Sequence, residues 1–488
     1  MEFESKSGNK YYFDNEIGIA YPSNPLIEKM RGNITLRKED FAGSCTEEDF
    51  LFYSNFLGKL NKIRPKRGLQ RQVPIDAEEI KRLILRDGLY QMILGITEEC
   101  NLRCRYCVFS DAYTLSRKPS KQIMDFTIAK KALDCYASLI EEGRNFNPVR
   151  RPAIGFYGGE PLLHFDLIKN CVHYLKTTYP HIDFLYSLTT NGTLLTQEKE
   201  DFLKKHGFLI TISIDGPQDE HDRKRVYPNG GGTFDDVMKN VRRYISSGDE
   251  KCSSICVFDW KSNLFSLDAF FSRTDVPKLS LISLPSLQDG CVYYDQFSNE
   301  DFQKYLESEE NAFQYYLQHI NRDNDRHSVF EQLYPIFASR FLYTIPVLVM
   351  PEQRTIPYSG ACILGRKIYV DVHGDFHPCE RINQFFPIGN THTGLDFTRI
   401  ASIMNDYNEH LDSCKTCGIS AACGYCYNHF AQKGNFDSSS KLCKNEEKIK
   451  KFELSRAFTL GENYPQMLDI LVKDYYSWLS KVSPTLGD

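Results

Sequence analysis

The 488-residue sequence lacks a hydrophobic run long enough to cross a membrane. Its longest apolar stretch, residues 345–350, is far shorter than the roughly 20 residues that a spanning helix needs. It also lacks a strong excess of one charge: the net charge of −5 gives no electrostatic case for nucleic acid or an anionic membrane as partner. The first residues are acidic and have no apolar core, so we expect no signal peptide and a cytoplasmic protein.

Cysteine, in contrast, is abundant. Sixteen cysteines in a cytosolic chain argue for metal binding rather than for disulfides. Ten of them fall into two clustered patterns. The remaining six are predicted to be small buried hydrophobic residues: Cys45, Cys135, Cys171, Cys252, Cys256 and Cys291.

The first pattern is a short loop that contains Cys100, Cys104 and Cys107 and follows the apolar run 92–97. Iron–sulfur clusters normally take four thiolates, so three at this spacing predict a cubane cluster with one iron left for an exogenous ligand. The alternative is a zinc knuckle, but a structural zinc prefers four protein ligands, usually in C-x2-C pairs.

This loop resembles the signature loop of the radical S-adenosylmethionine (SAM) enzymes, and the resemblance extends from about Leu89 to the tail. It implies that the amino and carboxylate groups of SAM chelate the open iron and that Tyr106 lies near the adenine. It also implies the chemistry of the family. The reduced cluster gives one electron to SAM, and the resulting 5′-deoxyadenosyl radical takes a hydrogen atom from the substrate.

From Gln91 onward, short apolar runs alternate with helical patterns, which indicates βα units around a parallel sheet. Six units predict an α/β fold, the partial (β/α)6 radical SAM barrel, with its chemistry at the carboxyl ends of the strands. Candidate strands are residues 92–97, 153–157, 184–189, 208–214, 254–258 and 279–284. Candidate helices are residues 126–142, 165–178, 197–206, 234–247 and 264–273.

A glycine-rich motif follows the second predicted strand. Gly158 and Gly159 allow a backbone to approach a ligand closely, and Glu160 can accept a hydrogen bond from an ammonium group. The resemblance implies that this stretch binds the amino group of SAM.

Further candidates for SAM binding follow the third and fourth strands, at Asn191, Ser213 and Arg225. Anaerobic sulfatase-maturing enzymes are similar here, and their residues matching Ser213 and Arg225 touch the SAM ribose and carboxylate. An arginine fits a carboxylate in fork geometry. The alternative for Arg225 is a surface ion pair.

The second cysteine pattern resembles the SPASM domain, which holds two auxiliary [4Fe–4S] clusters and would bring the total to three. This sequence departs from the SPASM pattern once, because two residues, and not the usual three, separate Cys423 from Cys426. A zinc ribbon on four of these cysteines is the alternative. The pattern consists of Cys362, Cys379, Cys414, Cys417, Cys423, Cys426 and Cys443.

The SPASM resemblance implies that Cys414, Cys417, Cys423 and Cys443 close one cluster, whereas Cys362, Cys379 and Cys426 bind the other. Sulfatase-maturing enzymes complete the latter with an extra cysteine, but residues 366–368 supply none. We therefore expect an open iron that can bind a substrate thiol and keep it deprotonated. Alternatively, Cys291 or Cys256 reaches in from the barrel.

Residues 1–88 predict a hairpin at 11–21 followed by helices at 47–63 and 77–85. This order resembles the winged-helix-like module in which a leader peptide adds a strand to a sheet edge. The alternative is a structural cap. The further predicted domains are the barrel at 89–300, a helical linker at 301–355, the SPASM domain at 356–450 and a helical tail at 451–488.

Taken together, these features resemble maturases of ribosomally made peptides, most closely the thioether-forming ones. The implied partners are a precursor peptide with a leader and a flavodoxin- or ferredoxin-type electron donor. Formylglycine formation is the alternative activity, and a non-catalytic electron carrier is the alternative class. Glu380 is a candidate general base, because sulfatase-maturing enzymes have a proton-accepting aspartate there; otherwise it pairs with Arg381 or Lys367.

Overall fold

The computed structural model describes residues 1–15, 18–32, 37–41, 46–68, 74–246, 251–288, 290–319, 328–334, 362, 364–420, 422–437 and 440–465. Cys45, most of the second half of the predicted linker and the end of the predicted tail lie outside the described residues. Within these ranges, no helix is both long and apolar enough to span a bilayer.

The N-terminal part contains a small antiparallel sheet of β1 (Glu2–Glu4), β2 (Lys10–Asp14) and β3 (Ile19–Pro22). The predicted hairpin is present as β2 and β3, whereas the sequence analysis missed β1. Helices α1 (Pro25–Gly32) and α2 (Glu47–Gly68) follow. Their apolar side chains share a separate small core with the sheet: Tyr21, Ile27, Met30, Phe41, Leu57 and Leu60.

Helix α3 (Ala77–Asp87) starts at Asp76, whose side chain accepts a hydrogen bond from Glu79 N at 2.8 Å. Three of its residues, Ile80, Ile84 and Leu85, are buried in the main core of the chain. This helix therefore packs with the barrel and not with the N-terminal sheet.

Six parallel strands form the centre of the molecule and are hydrogen-bonded in chain order. They are β4 (Gln91–Thr97), β5 (Ala153–Gly158), β6 (Leu185–Thr190), β7 (Leu209–Ser213), β8 (Cys252–Val257) and β9 (Lys278–Ser283). The helices between and after them are α4 (Phe126–Glu142), α5 (Phe165–Thr178), α6 (Gln197–Lys205), α7 (Gln218–Lys224), α8 (Phe234–Ser246) and α9 (Leu264–Phe271). The predicted α/β fold is confirmed.

The chain continues through α10 (Asn299–His319) and α11 (Ser328–Leu333) to β10 (Lys367–Val370), which pairs in parallel with β4. Strands β11 (Asp375–His377), β12 (Gly389–Asn390) and β13 (Gly394–Leu395) extend the same sheet to ten strands. Helices α12 (Phe397–His410), α13 (Tyr427–Phe430) and α14 (Ser440–Asn463) complete the fold. The second cysteine pattern is thus attached directly to the barrel sheet.

Candidate active site

A cavity of about 200 Å³ opens at the carboxyl ends of the barrel strands. Its wall contains every residue that the sequence analysis proposed for SAM binding, together with the three cysteines of the first loop and Glu380. Parallel strands bring these distant segments to one edge of the sheet. The predicted residues in the wall are Cys100, Cys104, Tyr106, Cys107, Gly158, Gly159, Glu160, Asn191, Ser213, Arg225 and Glu380.

The backbone holds the cysteine loop in place. Arg103 N donates to Val226 O at 2.7 Å, and Arg105 N donates to Lys224 O at 2.9 Å. The Arg103 side chain donates to the carbonyl oxygens of Cys100 and Leu102 at 2.8 and 2.7 Å. The loop conformation is therefore fixed by protein contacts from the segment that also carries Arg225.

The three thiols lie in a poorly solvated place. Burial raises the pKa of Cys100 to about 11 and that of Cys107 to about 12, and it also raises the pKa of Cys104. Buried thiols of this kind stay protonated near neutral pH unless a cation stabilises the thiolates. Three such groups in one cavity suit an iron–sulfur cluster, whose iron supplies that positive charge.

Gly158, the last residue of β5, and Gly159 line the cavity and also lie close to another part of the backbone. Gly158 has φ +129°, and a Cβ there would lie 2.3 Å from Thr97 O; a Cβ on Gly159 would lie 2.0 Å from Glu99 O. The close approach is thus to the chain's own backbone just before Cys100. It allows Gly159 N and Glu160 N to bond Thr97 O and Glu99 O at 2.7 and 2.8 Å.

Glu160 is a buried carboxylate at the cavity wall. It accepts hydrogen bonds from Thr190 Oγ1 at 2.7 Å, Asn191 N at 2.7 Å and Leu162 N at 3.0 Å. Desolvation nevertheless raises its pKa. Asn191 in turn donates its side-chain amide to Asn101 Oδ1 at 2.8 Å, which ties this corner to the cysteine loop.

Arg225, Tyr106 and Asp215 form a buried polar group. Arg225 Nη1 donates to Tyr106 Oη at 2.6 Å, and Tyr106 Oη donates to Asp215 Oδ1 at 3.1 Å. Only 5% of Arg225 is exposed, which does not fit a surface ion pair. Arg225 Nε and Asp215 Oδ2 have no hydrogen-bond partner among the described residues, so the cavity can offer a donor and an acceptor to a polar ligand such as SAM.

Asp215 and His221 lie between Ser213 and Arg225 but were not proposed as site residues from the sequence. His221 Nδ1 accepts from Asp215 N at 3.3 Å, and its Nε2 donates to Thr233 Oγ1 at 3.0 Å. Thr233 Oγ1 donates to Arg225 O at 3.1 Å. We assign the neutral tautomer because Nδ1 must accept, and the buried ring thereby holds both Asp215 and Arg225.

His221 should make folding stability sensitive to acid. Burial and the nearby cations Arg225 and Lys224 hold its pKa well below the ordinary value, and Asp215 is in contact with the ring. Below about pH 6.5 the unfolded chain binds a proton that the folded chain does not. The free energy of unfolding therefore decreases as the pH is lowered. We expect a slope of up to about 1.4 kcal/mol per pH unit from this group, measured by urea unfolding from pH 7.5 to 5.5.

The stability of the His221→Asn variant is measured over the same pH range, and His392→Asn is the matched control because His392 lies on the surface. The His221 variant should be less stable at pH 7.5 but lose less further stability on acidification than the wild type. Equal slopes in the wild type and His221→Asn would contradict the assignment.

Some cysteines of the second pattern lie near one another, and the full assignment to two clusters stays a prediction. Cys426 interacts electrostatically with Cys362 and Cys379, whereas Cys423 interacts with Cys414 and Cys443 with Cys417. No disulfide joins any of the fifteen described cysteines, Cys45 being outside that set.

The two cysteines considered as extra ligands are Cys291 and Cys256. Cys291 lies beside the Tyr113 hydroxyl, and Cys256 is buried in β8 near Asp215 and Lys224.

The two carboxylate oxygens of Glu380 have different surroundings. One carboxylate oxygen, Oε1, lies 3.6 Å from Lys367 Nζ, as the ion-pair alternative expected. The other, Oε2, is buried and has no hydrogen-bond partner among the described residues. The residue also lines the cavity.

Residues 94–259 match the Radical SAM superfamily. The chain contains a radical SAM domain. The resemblance to radical SAM enzymes is thereby confirmed for these residues. This domain implies SAM and a [4Fe–4S] cluster, for which the cavity offers three thiols and polar atoms without partners among the described residues.

Curated relatives match only part of the radical SAM chain. A cysteine-type anaerobic sulfatase-maturating enzyme of Clostridium novyi is 31% identical over 32% of this chain and 40% of its own length. The radical SAM cyclopropyl synthase TigE of Paramaledivibacter caminithermalis is 26% identical over 41% of this chain and 39% of its own. The chain thus spans less than half the length of these relatives.

Among solved structures, native anSMEcpe with bound AdoMet has a TM-score of 0.58 at 19% identity. The match covers 78% of this chain and 98% of that one. At this identity the similarity shows a shared fold, and it extends well beyond the residues that match the family.

Proposed function

We propose that this radical SAM protein forms a thioether between a cysteine sulfur and a carbon atom of another residue in a ribosomally made precursor peptide. The observation that carries the proposal is that the loop of Cys379, through Glu380 and Arg381, lines the same cavity as Cys100, Cys104 and Cys107. A candidate auxiliary cluster and a candidate base therefore lie at the site where SAM would bind.

The chain's own residues have distinct tasks in this proposal. Cys100, Cys104 and Cys107 hold the first cluster, and Glu160 accepts from the SAM ammonium. Arg225 and Ser213 orient the carboxylate and ribose. Bound SAM and the reduced cluster supply the radical that removes a hydrogen atom from the peptide.

In this proposal, a second group of residues binds the sulfur of the substrate cysteine and removes the proton of its thiol. Cys362, Cys379 and Cys426 provide three thiolates, which leaves one iron of that cluster for the substrate sulfur. A substrate thiol bound to that iron would lose its proton, and Glu380, whose Oε2 has no hydrogen-bond partner among the described residues, would receive it. Cys414, Cys417, Cys423 and Cys443 would hold a second redox centre, and an auxiliary cluster would accept the one electron that is released when the thiolate sulfur bonds to the carbon radical.

Formylglycine formation remains the second candidate, because sulfatase-maturating enzymes are among the partial relatives. The protein, reconstituted anaerobically with dithionite, should release 5′-deoxyadenosine. Co-expression with a cysteine-rich precursor peptide should lower the peptide mass by two units per cross-link. A mass change from cysteine to formylglycine would favour the alternative, and the absence of SAM cleavage would remove both. Cytoplasmic location and a flavodoxin- or ferredoxin-type donor complete the proposal.

The N-terminal sheet supports a peptide substrate. On one side it is held to α14, since Lys6 N donates to Thr459 Oγ1 at 2.8 Å and Tyr11 Oη to Glu462 Oε1 at 2.5 Å. At the other side β3 is the last strand of its sheet in the described part of the chain, and in this proposal a leader peptide adds there as a further strand.

The free edge of β3 gives a testable prediction. Ser23 N donates to Lys10 O at 2.8 Å, and from this register Ala20 N points away from β2. Ala20→Pro should remove one outward donor without disturbing the pairing of β2 and β3. We expect about a tenfold loss of affinity for a leader-containing peptide, measured by fluorescence anisotropy, because the added strand loses a main-chain bond.

Ala20→Val is the matched control, because it keeps the backbone donor. SAM cleavage without peptide should stay unchanged in both variants. Equal peptide affinity for Ala20→Pro and the wild type would reduce this sheet to a structural cap. Deleting residues 1–88 is a less specific test, since it would also remove α3 from the main core.

A further inference from the structure

Arg117 is a buried arginine on the segment between the first cysteine loop and α4. Only 7% of the residue is exposed. Its Nη1 donates to Ile382 O at 3.0 Å, and its guanidinium carbon lies 5.0 Å from the centre of the Tyr369 ring. Its Nε and Nη2 have no hydrogen-bond partner among the described residues.

The residue that Arg117 holds belongs to the turn after Cys379. Burial raises the pKa of the Cys379 thiol, and the backbone N–H groups of Arg381 and Ile382 in this turn act in the opposite direction. Arg117 binds the carbonyl oxygen of Ile382, whose N–H is one of these two groups. A barrel segment thus fixes the backbone that surrounds a candidate cluster ligand.

The charge of Arg117 is not balanced by a close carboxylate in the described part of the chain. Arg117 interacts electrostatically with Asp371 and helps to lower the pKa of that carboxyl. The oxygens of Asp371, however, accept hydrogen bonds from His373 N, Asp375 N and His377 Nε2, each at 3.0 Å. A buried charge without a partner is costly. A [4Fe–4S] cluster bound by thiolates carries net negative charge and would supply the missing counter-charge at this place.

We propose that Arg117 is a positioning residue for the cluster held by Cys362, Cys379 and Cys426, and that its charge raises the reduction potential of that cluster. The inference rests on the proposed function, because it requires this auxiliary cluster. Reduction adds a negative charge to the cluster, so a nearby fixed cation favours the reduced state. Hydrogen bonds to the sulfur act in the same direction.

Arg117→Gln and Arg117→Lys separate charge from hydrogen bonding. Both side chains can donate to Ile382 O, but only lysine keeps the positive charge. The measurement is a redox titration of the fully reconstituted protein, followed by electron paramagnetic resonance. The glutamine variant should lower the potential of this cluster by at least about 59 mV, a tenfold change in the ratio of reduced to oxidised cluster. The lysine variant should change that ratio less than threefold.

Two controls show where the effect acts. The cluster of Cys414, Cys417, Cys423 and Cys443 should keep its potential in both variants. Arg150→Gln should leave both potentials unchanged, because Arg150 binds the carbonyl oxygens of Leu85 and Arg86 at the opposite end of the strands.

Each outcome has a distinct meaning. Equal shifts in Arg117→Gln and Arg117→Lys, or no shift in either, would overturn the inference. If the glutamine variant fails to fold, Arg117→Lys still tests the inference. A more than tenfold change in the ratio of reduced to oxidised cluster in that variant would overturn the inference, and a smaller change would support it. A wild-type protein that binds iron only at the first loop would instead refute the auxiliary cluster and that part of the proposed function.

Discussion

Replacing Cys100, Cys104 and Cys107 together by alanine should abolish the release of 5′-deoxyadenosine. In the proposed function their thiols hold the cluster whose open iron would chelate SAM, so no such iron would remain without them. Iron for two auxiliary clusters should remain, because the other cysteines lie on different segments. Chromatography of the nucleoside and iron analysis of the reconstituted protein measure both effects.

The fold of this triple variant should survive, since backbone bonds from Arg103 and Arg105 to Val226 and Lys224 hold the loop. Cys171→Ala is the matched control: this cysteine is buried in α5 outside both patterns, so its loss should leave iron content and SAM cleavage intact. Complete loss of iron from the triple variant would show that the assignment of the two cysteine patterns is wrong.

Glu380→Gln should cut the yield of cross-linked peptide at least about a hundredfold while SAM cleavage without peptide continues. Glutamine keeps the shape of the side chain but cannot take up the proton of the substrate thiol. The unpartnered Oε2 at the cavity wall is the atom expected to receive it. Product mass and 5′-deoxyadenosine, measured in the same reaction, separate the two steps.

Lys367→Gln is the control that distinguishes a base from a structural ion pair. It removes the partner 3.6 Å from Glu380 Oε1 and leaves the carboxylate in place. If Glu380 acts as a base, Lys367→Gln should retain most of the product. Similar losses in both variants would mean that the ion pair, and not proton transfer, is what matters.

The barrel could be predicted from the sequence because its signals are local. Buried parallel strands appear as short apolar runs, and helices such as Phe126–Glu142 and Phe165–Thr178 show the 3.6-residue period along their whole length. Motifs at strand ends were therefore expected at one edge of the sheet, and the resemblance to radical SAM enzymes indicated which of their residues would bind SAM.

Other features depend on contacts between distant segments and left no local signal. The attachment of β10 to β4 joins residues that carry no mutual pattern in the sequence. Asp215 stood in a recognised motif, but its bond with Tyr106 emerges only when the two loops meet. The lack of room for a Cβ at Gly158 and Gly159 likewise comes from the backbone of residues 97–99, and the sequence does not show that this backbone lies beside them.

The pairing of β4 with β10 also has a consequence for how the chain folds. During synthesis β4 is complete at residue 97, but the strand that covers its outer edge begins only at residue 367. Contacts this far apart in sequence form slowly, because a long loop must close before they are gained. Until then a strongly apolar edge strand is open to pairing with other chains, so the nascent protein should be most prone to aggregation before its cysteine-rich part emerges.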